Sequence, residues 1–241
     1  MAWHPIGKVA ELWRYPVKSM LGERCDMLSL DARGVKGDRR FAVKDAEGKF
    51  GSGKNTRRFR KIEGLFRFSA SYQNGVPYIR FPAGEVVSGA APKIHAALSR
   101  SLGESVVLAE EAEVSHLDAG PVHLVSSASL GWLQAALPGA HVDARRFRPN
   151  LVIELPGTTP VEQQWVGKRL RVGQEVELAV SAGTERCGMV TFAQGDLPDE
   201  PSVLRHIAKA AGVRFGVYAQ VVVPGVVRQH DVVALIDQAE S

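Results

Sequence analysis

The chain has few of the residues that mark specialised classes of protein. Only two cysteines, Cys25 and Cys187, occur among its 241 residues, and they form no CxxC pair. We therefore expect neither a disulfide framework nor an iron–sulfur cluster, which normally needs four cysteines. No uninterrupted apolar run approaches the roughly 20 residues that span a bilayer, and the N-terminus lacks a charged region followed by an apolar stretch. These absences favour a cytoplasmic protein with no membrane partner.

The chain also has only a small excess of charge of one sign. Thirty basic and 26 acidic side chains leave a net charge of +4, which favours a local pocket for an anionic small molecule over a nucleic-acid surface. The most basic stretch, residues 54–61, carries Lys54, Arg57, Arg58, Arg60 and Lys61 around one phenylalanine. No helix-turn-helix or zinc-finger pattern surrounds it. We interpret it as a solvated turn or a wall of an anion pocket, and expect no nucleic-acid partner.

Short strands bounded by turn residues dominate the first half. A strand is predicted over 9–17, and another over 41–44 with a return strand from Phe50. The Asn74-Gly75 pair predicts a type I′ hairpin between 66–72 and 76–81. A helix over 92–102 is stopped by Gly103. The acidic segment 104–120 is interpreted as a loop at a domain junction.

The second half continues the pattern with strands predicted over 122–125, 147–155, 170–172, 175–182, 217–223 and 232–236. Two further helices are predicted over 126–137 and 201–211, each followed by Gly or Pro-Gly. Many strands with a few short helices predict an α+β protein that is mostly β and barrel-like. We expect two domains, a β-rich unit over 1–105 and a second unit over 106–241.

Cys187 is the first candidate for chemistry. A thiolate is a nucleophile and a soft metal ligand, and a neighbouring guanidinium such as that of Arg186 favours it. Free cysteines are also often buried as small hydrophobic groups, but Glu185, Arg186 and Gly188 give this one a polar, loop-like setting. The sequence alone leaves both interpretations open.

Several groups suited to an anion accompany this cysteine. Within the predicted strand 147–155, Arg148 and Asn150 share one face, where they could hold a phosphate and a heterocycle edge or simply face solvent. Lys18 and Ser19 follow a proline turn, and Arg39 lies in a second basic segment. His116 and His123 lack metal-site spacing and are interpreted as surface histidines.

These segments resemble, in order, the signature of the MOSC superfamily, named after the C-terminal domain of molybdenum-cofactor sulfurases. The resemblance rests on Tyr15-Pro16-Val17-Lys18-Ser19, Gly37-Asp38-Arg39-Arg40-Phe41, Arg146-Phe147-Arg148-Pro149-Asn150 and Arg186-Cys187. It covers nearly the whole chain, and it implies a β-barrel MOSC fold preceded by the N-terminal MOSC barrel domain. Within that superfamily, the sequence resembles the mitochondrial amidoxime-reducing components and their bacterial counterparts.

By that resemblance, Cys187 is the catalytic residue and ligates molybdenum beside the dithiolene sulfurs of a molybdopterin. The positions that match the pterin-binding ones are Lys18, Ser19, Arg39, Arg148, Asn150 and Arg186. The implied function is an oxidoreductase that reduces small N-hydroxylated or N-oxide substrates with electrons from a separate electron-transfer protein. The alternative is a carrier that bears a persulfide on Cys187 or delivers the cofactor. The family also carries an association with pyridoxal phosphate.

Two segments depart from the amidoxime-reducing pattern. Glu185 stands where those members usually have a small hydroxyl residue, so an acid there could repel a phosphate or act on the substrate. Residues 191–196 also lack the usual Asp-Pro-x-Thr-Gly pattern. No ferredoxin-like cysteine set is present, so electrons are expected from another protein.

Overall fold

The computed structural model describes residues 3–236, and strands make up most of its regular structure. The first half contains β1 (Trp3–Arg14), β2 (Glu23–Cys25), β3 (Met27–Asp31), β4 (Gly34–Val35), β5 (Phe41–Asp45), β6 (Phe50–Ser52), β7 (Phe59–Lys61), β8 (Ser69–Gln73), β9 (Val76–Arg80), β10 (Val86–Ser88), α1 (Ile94–Leu102) and β11 (Val106–Glu110). The second half contains β12 (Val122–Ser126), α2 (Ser127–Ala136), β13 (Leu151–Glu154), β14 (Arg169–Val172), β15 (Val176–Glu185), α3 (Pro201–Ala211), β16 (Arg214–Val223), β17 (Gly225–Arg228) and β18 (Val232–Ile236). None of the described helices is long and apolar enough to cross a membrane.

Seven strands close into a barrel. Hydrogen-bonded neighbours follow the order β13, β12, β16, β15, β14, β18 and β1, and β1 pairs back to β13. The pair β12–β13 is parallel, and the other pairs around the ring are antiparallel. The prediction of a mostly β, barrel-like α+β fold is confirmed. Because β1 belongs to this ring, the barrel combines the start of the chain with its second half; the division into units 1–105 and 106–241 stays a prediction.

The barrel interior is filled by alternating apolar side chains. In β15, Val176, Leu178 and Val180 are buried while the residues between them are half-buried, as the two-residue period of a strand requires. The same core takes in fully buried side chains from other ring strands: Val9, Leu12, Leu124, Leu151, Ile153, Leu170, Val172 and Val217. Full burial of one such side chain contributes about 1.5–3 kcal/mol, so this core fixes the strand registers.

Smaller sheets and the helices pack around the barrel. β11, β5, β6 and β7 form one sheet and β10, β9 and β8 another, and α1 packs on them through Ile94 and Leu98. The predicted hairpin between β8 and β9 is confirmed, with both turn residues at positive φ, 49° for Asn74 and 79° for Gly75. Helices α2 and α3 share a third core with Phe215 of β16.

Two predicted segments differ from the structure. Part of the predicted loop 104–120 is β11, which pairs antiparallel with β5 along its length. The predicted strand 147–155 is wrong in its first part, because residues 144–147 form a 3₁₀ turn and Arg148 has a left-handed φ of 54°. The extended backbone starts only at Leu151, so Arg148 and Asn150 do not share a strand face.

Candidate functional site

A cavity of about 960 Å³ lies between residues of both halves of the chain. Six of the seven residues predicted to form a site line it: Lys18, Ser19, Arg39, Arg148, Arg186 and Cys187. Its lining carries eight basic side chains and two carboxylates, those of Asp118 and Glu185. This cavity is therefore the candidate site, and its charge favours anions.

Backbone hydrogen bonds hold the turn at 15–20 against the segment that carries Arg39. The Lys18 amide donates to the Phe41 carbonyl at 2.8 Å, and the Arg39 amide donates to the Tyr15 carbonyl at 2.7 Å. The Tyr15 amide in turn donates to the Asp38 carboxylate at 2.8 Å. Two segments that are remote in sequence thus become one wall of the cavity.

Three of the cavity residues have a strained backbone. Ser19, Arg39 and Arg148 have φ values of 63°, 49° and 54°, in the left-handed region that is uncommon for residues other than glycine. Such strain persists where the surroundings hold it in place, and it concentrates at functional sites. The shared conformation of three cavity residues supports the assignment of this cavity as the site.

Two of the buried cations on this wall already have carboxylate partners. The Arg39 guanidinium binds the fully buried carboxylate of Asp38, and the Lys18 ammonium binds Asp118 and the His116 carbonyl. Burial lowers the pKa of Lys18 despite the nearby Asp118. Desolvation opposes it, but the charges of Lys18 and Arg39 lower the pKa of Asp118 to about 2. These charges are largely compensated within the protein.

Arg148 is different, because no carboxylate among residues 3–236 lies within ion-pair distance of its guanidinium. One of its nitrogens, Nη1, donates to the Met20 carbonyl at 2.5 Å, while Nη2 is buried without a partner in the described chain. The guanidinium stacks on the Tyr15 ring at 4.2 Å. Desolvation, reinforced by Arg39, lowers the pKa of Arg148 to about 10. A buried cation with a free donor suits an anionic ligand.

Arg186 directs its guanidinium at protein acceptors. It donates to the carbonyl oxygens of Phe215, at 2.7 Å from Nε, and Phe147, at 3.1 Å from Nη1, and it also contacts Nε2 of His123. Desolvation lowers the pKa of Arg186 to about 10. Desolvation, followed by the charge of Arg186, lowers the pKa of His123 well below its usual value. Arg186 therefore stabilises the cavity wall with much of its bonding capacity.

The thiol of Cys187 is exposed and lines the cavity. Its backbone is extended, with φ at −122° and ψ at −180°, and the 3₁₀ turn Gly188–Thr191 follows directly. The interpretation of Cys187 as a small buried hydrophobic group is therefore wrong. By contrast, Cys25 is half-buried and desolvation raises its pKa to about 11. Cys187 is the accessible thiol of the two.

Asn150 lies outside the cavity lining. Its side chain accepts a hydrogen bond from the His123 amide at 3.1 Å and donates to the Trp13 carbonyl at 3.3 Å. It is 1% exposed, and its amide links β12 to β1 within the barrel instead of facing the cavity. The expectation that Asn150 faces a ligand beside Arg148 rested on the predicted strand 147–155 and differs from the structure for that reason.

Two other sequence interpretations are resolved by the fold. His116 and His123 are 0% and 3% exposed, so the interpretation as surface histidines is wrong; apolar neighbours such as Phe50, whose ring lies 4.9 Å from that of His116, explain the burial. From the basic stretch 54–61, Lys54 and Arg58 line the cavity. That segment therefore does form a wall of the pocket.

Asp118, Phe59 and Tyr218 also line the cavity, and the sequence interpretation did not select them. Lys18 and Arg58 lie over the Phe59 ring, at 5.4 and 5.5 Å from its centre. The sequence signal for Phe59 was its position as the one aromatic residue within the basic stretch 54–61. No local sequence signal indicated Asp118, because its partner Lys18 lies 100 positions away.

Comparison with known proteins gives two family matches that together span most of the chain. The MOSC domain model matches residues 103–234, and the MOSC N-terminal beta barrel domain model matches residues 6–96. No curated protein matches the sequence.

Solved structures with a similar fold include the YUAD protein from Bacillus subtilis, which is 14% identical with a TM-score of 0.55 over 99% of this chain and 100% of that chain. YiiM from Escherichia coli is 11% identical, with a TM-score of 0.46 over 100% of this chain and 73% of that chain. At such identity the likeness to the YUAD protein concerns the fold alone. The family matches and the barrel together establish that this chain belongs to the MOSC family.

Proposed function

We propose that this MOSC protein binds a molybdenum cofactor in the cavity and reduces small N-hydroxylated or N-oxide substrates with electrons from a separate redox protein. The observation that carries the proposal is the juxtaposition of Arg148 and Cys187. A buried guanidinium with a free donor, and an exposed thiol, line the same cavity. An anionic cofactor with a soft metal matches both groups.

The chemistry of the donors fits such a cofactor. No group of three or more His, Cys, Asp or Glu suited to a metal ion occurs within residues 3–236, so a metal at Cys187 would need most of its ligands from the cofactor itself. A pterin dithiolene provides such ligands. The residues that would hold its phosphate and ring are Lys18, Ser19, Arg39, Arg148 and Arg186. When bound, the cofactor supplies a two-electron couple able to accept an oxygen atom.

The protein groups have distinct roles in this proposal. Arg148 would bind the phosphate through its free N–H groups, and Ser19 holds the turn in place by donating to the Gly51 carbonyl at 3.0 Å. His123, kept neutral, accepts from Arg186 and so orients the residue that precedes Cys187. Asn150 would stabilise the barrel through its hydrogen bonds to β12 and β1 and would not contact the ligand directly.

The overall reaction fixes what the electron donor must supply. Conversion of R–NH–OH into R–NH₂ and water consumes two electrons and two protons. With only two cysteines, the chain has too few thiols for an iron–sulfur relay of its own. The electrons would therefore come from another protein.

Substitution of the thiol tests the proposal. Cys187→Ala, produced in a cofactor-competent host, should reduce an N-hydroxyamidine with a chemically reduced dye at least 100-fold more slowly than the wild type. Because Cys187 is exposed, the free energy of unfolding of Cys187→Ala should differ from that of the wild type by less than about 0.5 kcal/mol. Cys25→Ser is the control and should retain turnover. Wild-type rates in Cys187→Ala would contradict the proposal.

A second candidate function is sulfur carriage by Cys187 as a persulfide or delivery of the cofactor. The exposure of this thiol within a basic cavity favours it, since an accessible sulfur beside cations can exchange with a partner. Mass spectrometry of the isolated protein would then find one added sulfur atom on the Cys187 peptide and no pterin. The family association with pyridoxal phosphate stays a prediction.

A further inference from the structure

Glu185 and Cys187 point into the cavity from one stretch of extended chain. β15 ends at Glu185, and the backbone of Cys187 is still extended. Both side chains line the cavity, while the guanidinium of Arg186 between them is bonded to Phe215 and His123. Alternation along an extended chain produces this arrangement and sets the two cavity side chains roughly 7 Å apart at their bases.

Glu185 is the uncompensated acid of the cavity. Of the two carboxylates in its lining, Asp118 is held by Lys18. The carboxylate of Glu185 has no hydrogen bond or ion pair with any residue in the described part of the chain. Arg214 is its register partner across β15 and β16 and also lines the cavity, yet the two side chains form no ion pair. A free negative charge therefore lies beside the thiol.

The range of this charge covers any molecule that approaches Cys187. At physiological ionic strength the screening length is about 8 Å, which is comparable with the separation of the two side chains. A carboxylate at this distance favours a cation and disfavours an anion. Arg214 is the basic cavity residue that the strand register places opposite Glu185, whereas Arg148 and Arg186 are assigned to the cofactor site.

We propose that Glu185 is a specificity-determining residue that makes the Cys187 end of the cavity select positively charged substrates. The class comprises protonated hydroxylamines and hydroxyguanidines, and compounds of similar size that carry a carboxylate are disfavoured. Arg214 moderates this preference from the neighbouring strand. The inference rests on the proposed function for its substrate class, but the effect of the Glu185 charge on molecules that approach Cys187 can be measured in the protein without cofactor.

The thiol of Cys187 can report the charge selection directly. We would measure its modification rate in cofactor-free protein with a cationic trimethylammonioethyl and an anionic sulfonatoethyl methanethiosulfonate, in a Cys25→Ser background. Glu185→Gln should lower the cationic-to-anionic rate ratio about fivefold. Arg214→Gln should raise that ratio. Glu177→Gln, at the other end of β15 and 3.7 Å from Arg169, is the matched control and should leave it unchanged.

Turnover of the loaded protein completes the test. The second readout compares a cationic and an anionic N-hydroxy compound of equal size. Glu185→Gln should lower the cationic-to-anionic ratio of kcat/KM by a similar factor, mainly through KM. An unchanged reagent ratio in Glu185→Gln, or an equal change in Glu177→Gln, overturns the inference. If Glu185→Gln shifts the reagent ratio in cofactor-free protein but the loaded wild type reduces neither compound, the proposed function is overturned and the inference about charge stands.

Discussion

The guanidinium of Arg186 donates to Nε2 of His123, a hydrogen bond that joins the residue beside the exposed thiol to the fully enclosed strand β12. Nδ1 of the same imidazole lies 3.3 Å from the Arg148 carbonyl. A neutral ring that donates from Nδ1 and accepts at Nε2 satisfies both contacts. Arg148 and Arg186, neither of which has a carboxylate partner in the described chain, are thus connected through one neutral histidine.

Buried neutral histidines make the stability depend on pH. Desolvation lowers the pKa of His116 to about 4, whereas in the unfolded chain it is near 6.5. The unfolded state then binds more protons between these values, so stability is full above pH 6.5 and falls as the pH decreases. Between pH 7 and pH 5, His116 should account for a loss of about 1–2 kcal/mol.

Urea unfolding at both pH values checks this expectation. His116→Phe, which keeps an aromatic ring against Phe50, should reduce the loss, and the exposed His141→Phe should not. An equal pH dependence in the wild type and in His116→Phe would show that the buried ring is protonated in the folded protein.

In the absence of a ligand, Arg148 should lower the free energy of unfolding. Its buried guanidinium has no carboxylate partner in residues 3–236, so Arg148→Met should raise the free energy of unfolding by about 1 kcal/mol. The same substitution should weaken phosphate binding at least tenfold, measured by calorimetry. Arg39→Met, in contrast, leaves the buried Asp38 without its cation and should lower stability by about 3–5 kcal/mol. A less stable Arg148→Met with intact phosphate binding would contradict the role of Arg148.

Val213 occupies a conformation that a β-branched residue rarely adopts. Its φ is 61°, and its carbonyl accepts the Arg186 amide at 2.7 Å. Because glycine tolerates this region without steric cost, Val213→Gly should raise stability by about 1 kcal/mol. Val222→Gly is the control: both side chains are similarly exposed, 36% and 39%, but Val222 lies in β16, where glycine should lower stability. Equal effects in thermal unfolding would show that Val213 is unstrained.

The sequence predicted what depends on local pattern and missed what depends on long-range contacts. Strand alternation, the Asn74-Gly75 turn and the glycine after α1 are local signals, and the elements they predicted are present. The left-handed Arg148 and the pairing of β11 with β5 depend on distant partners. For the site, ordered motifs located six cavity residues, whereas the burial of Asn150 and the role of Asp118 follow only from the folded barrel.

Metal and pterin analysis tests the central claim most directly. The wild type and Cys187→Ala would be purified from a cofactor-competent host, and molybdenum and the fluorescent oxidised pterin would be measured per chain. The account predicts near-stoichiometric molybdenum and pterin in the wild type, with less metal in Cys187→Ala and less pterin in Arg148→Met. Wild-type protein that carries neither, from a host whose other molybdoenzymes are loaded, would contradict it.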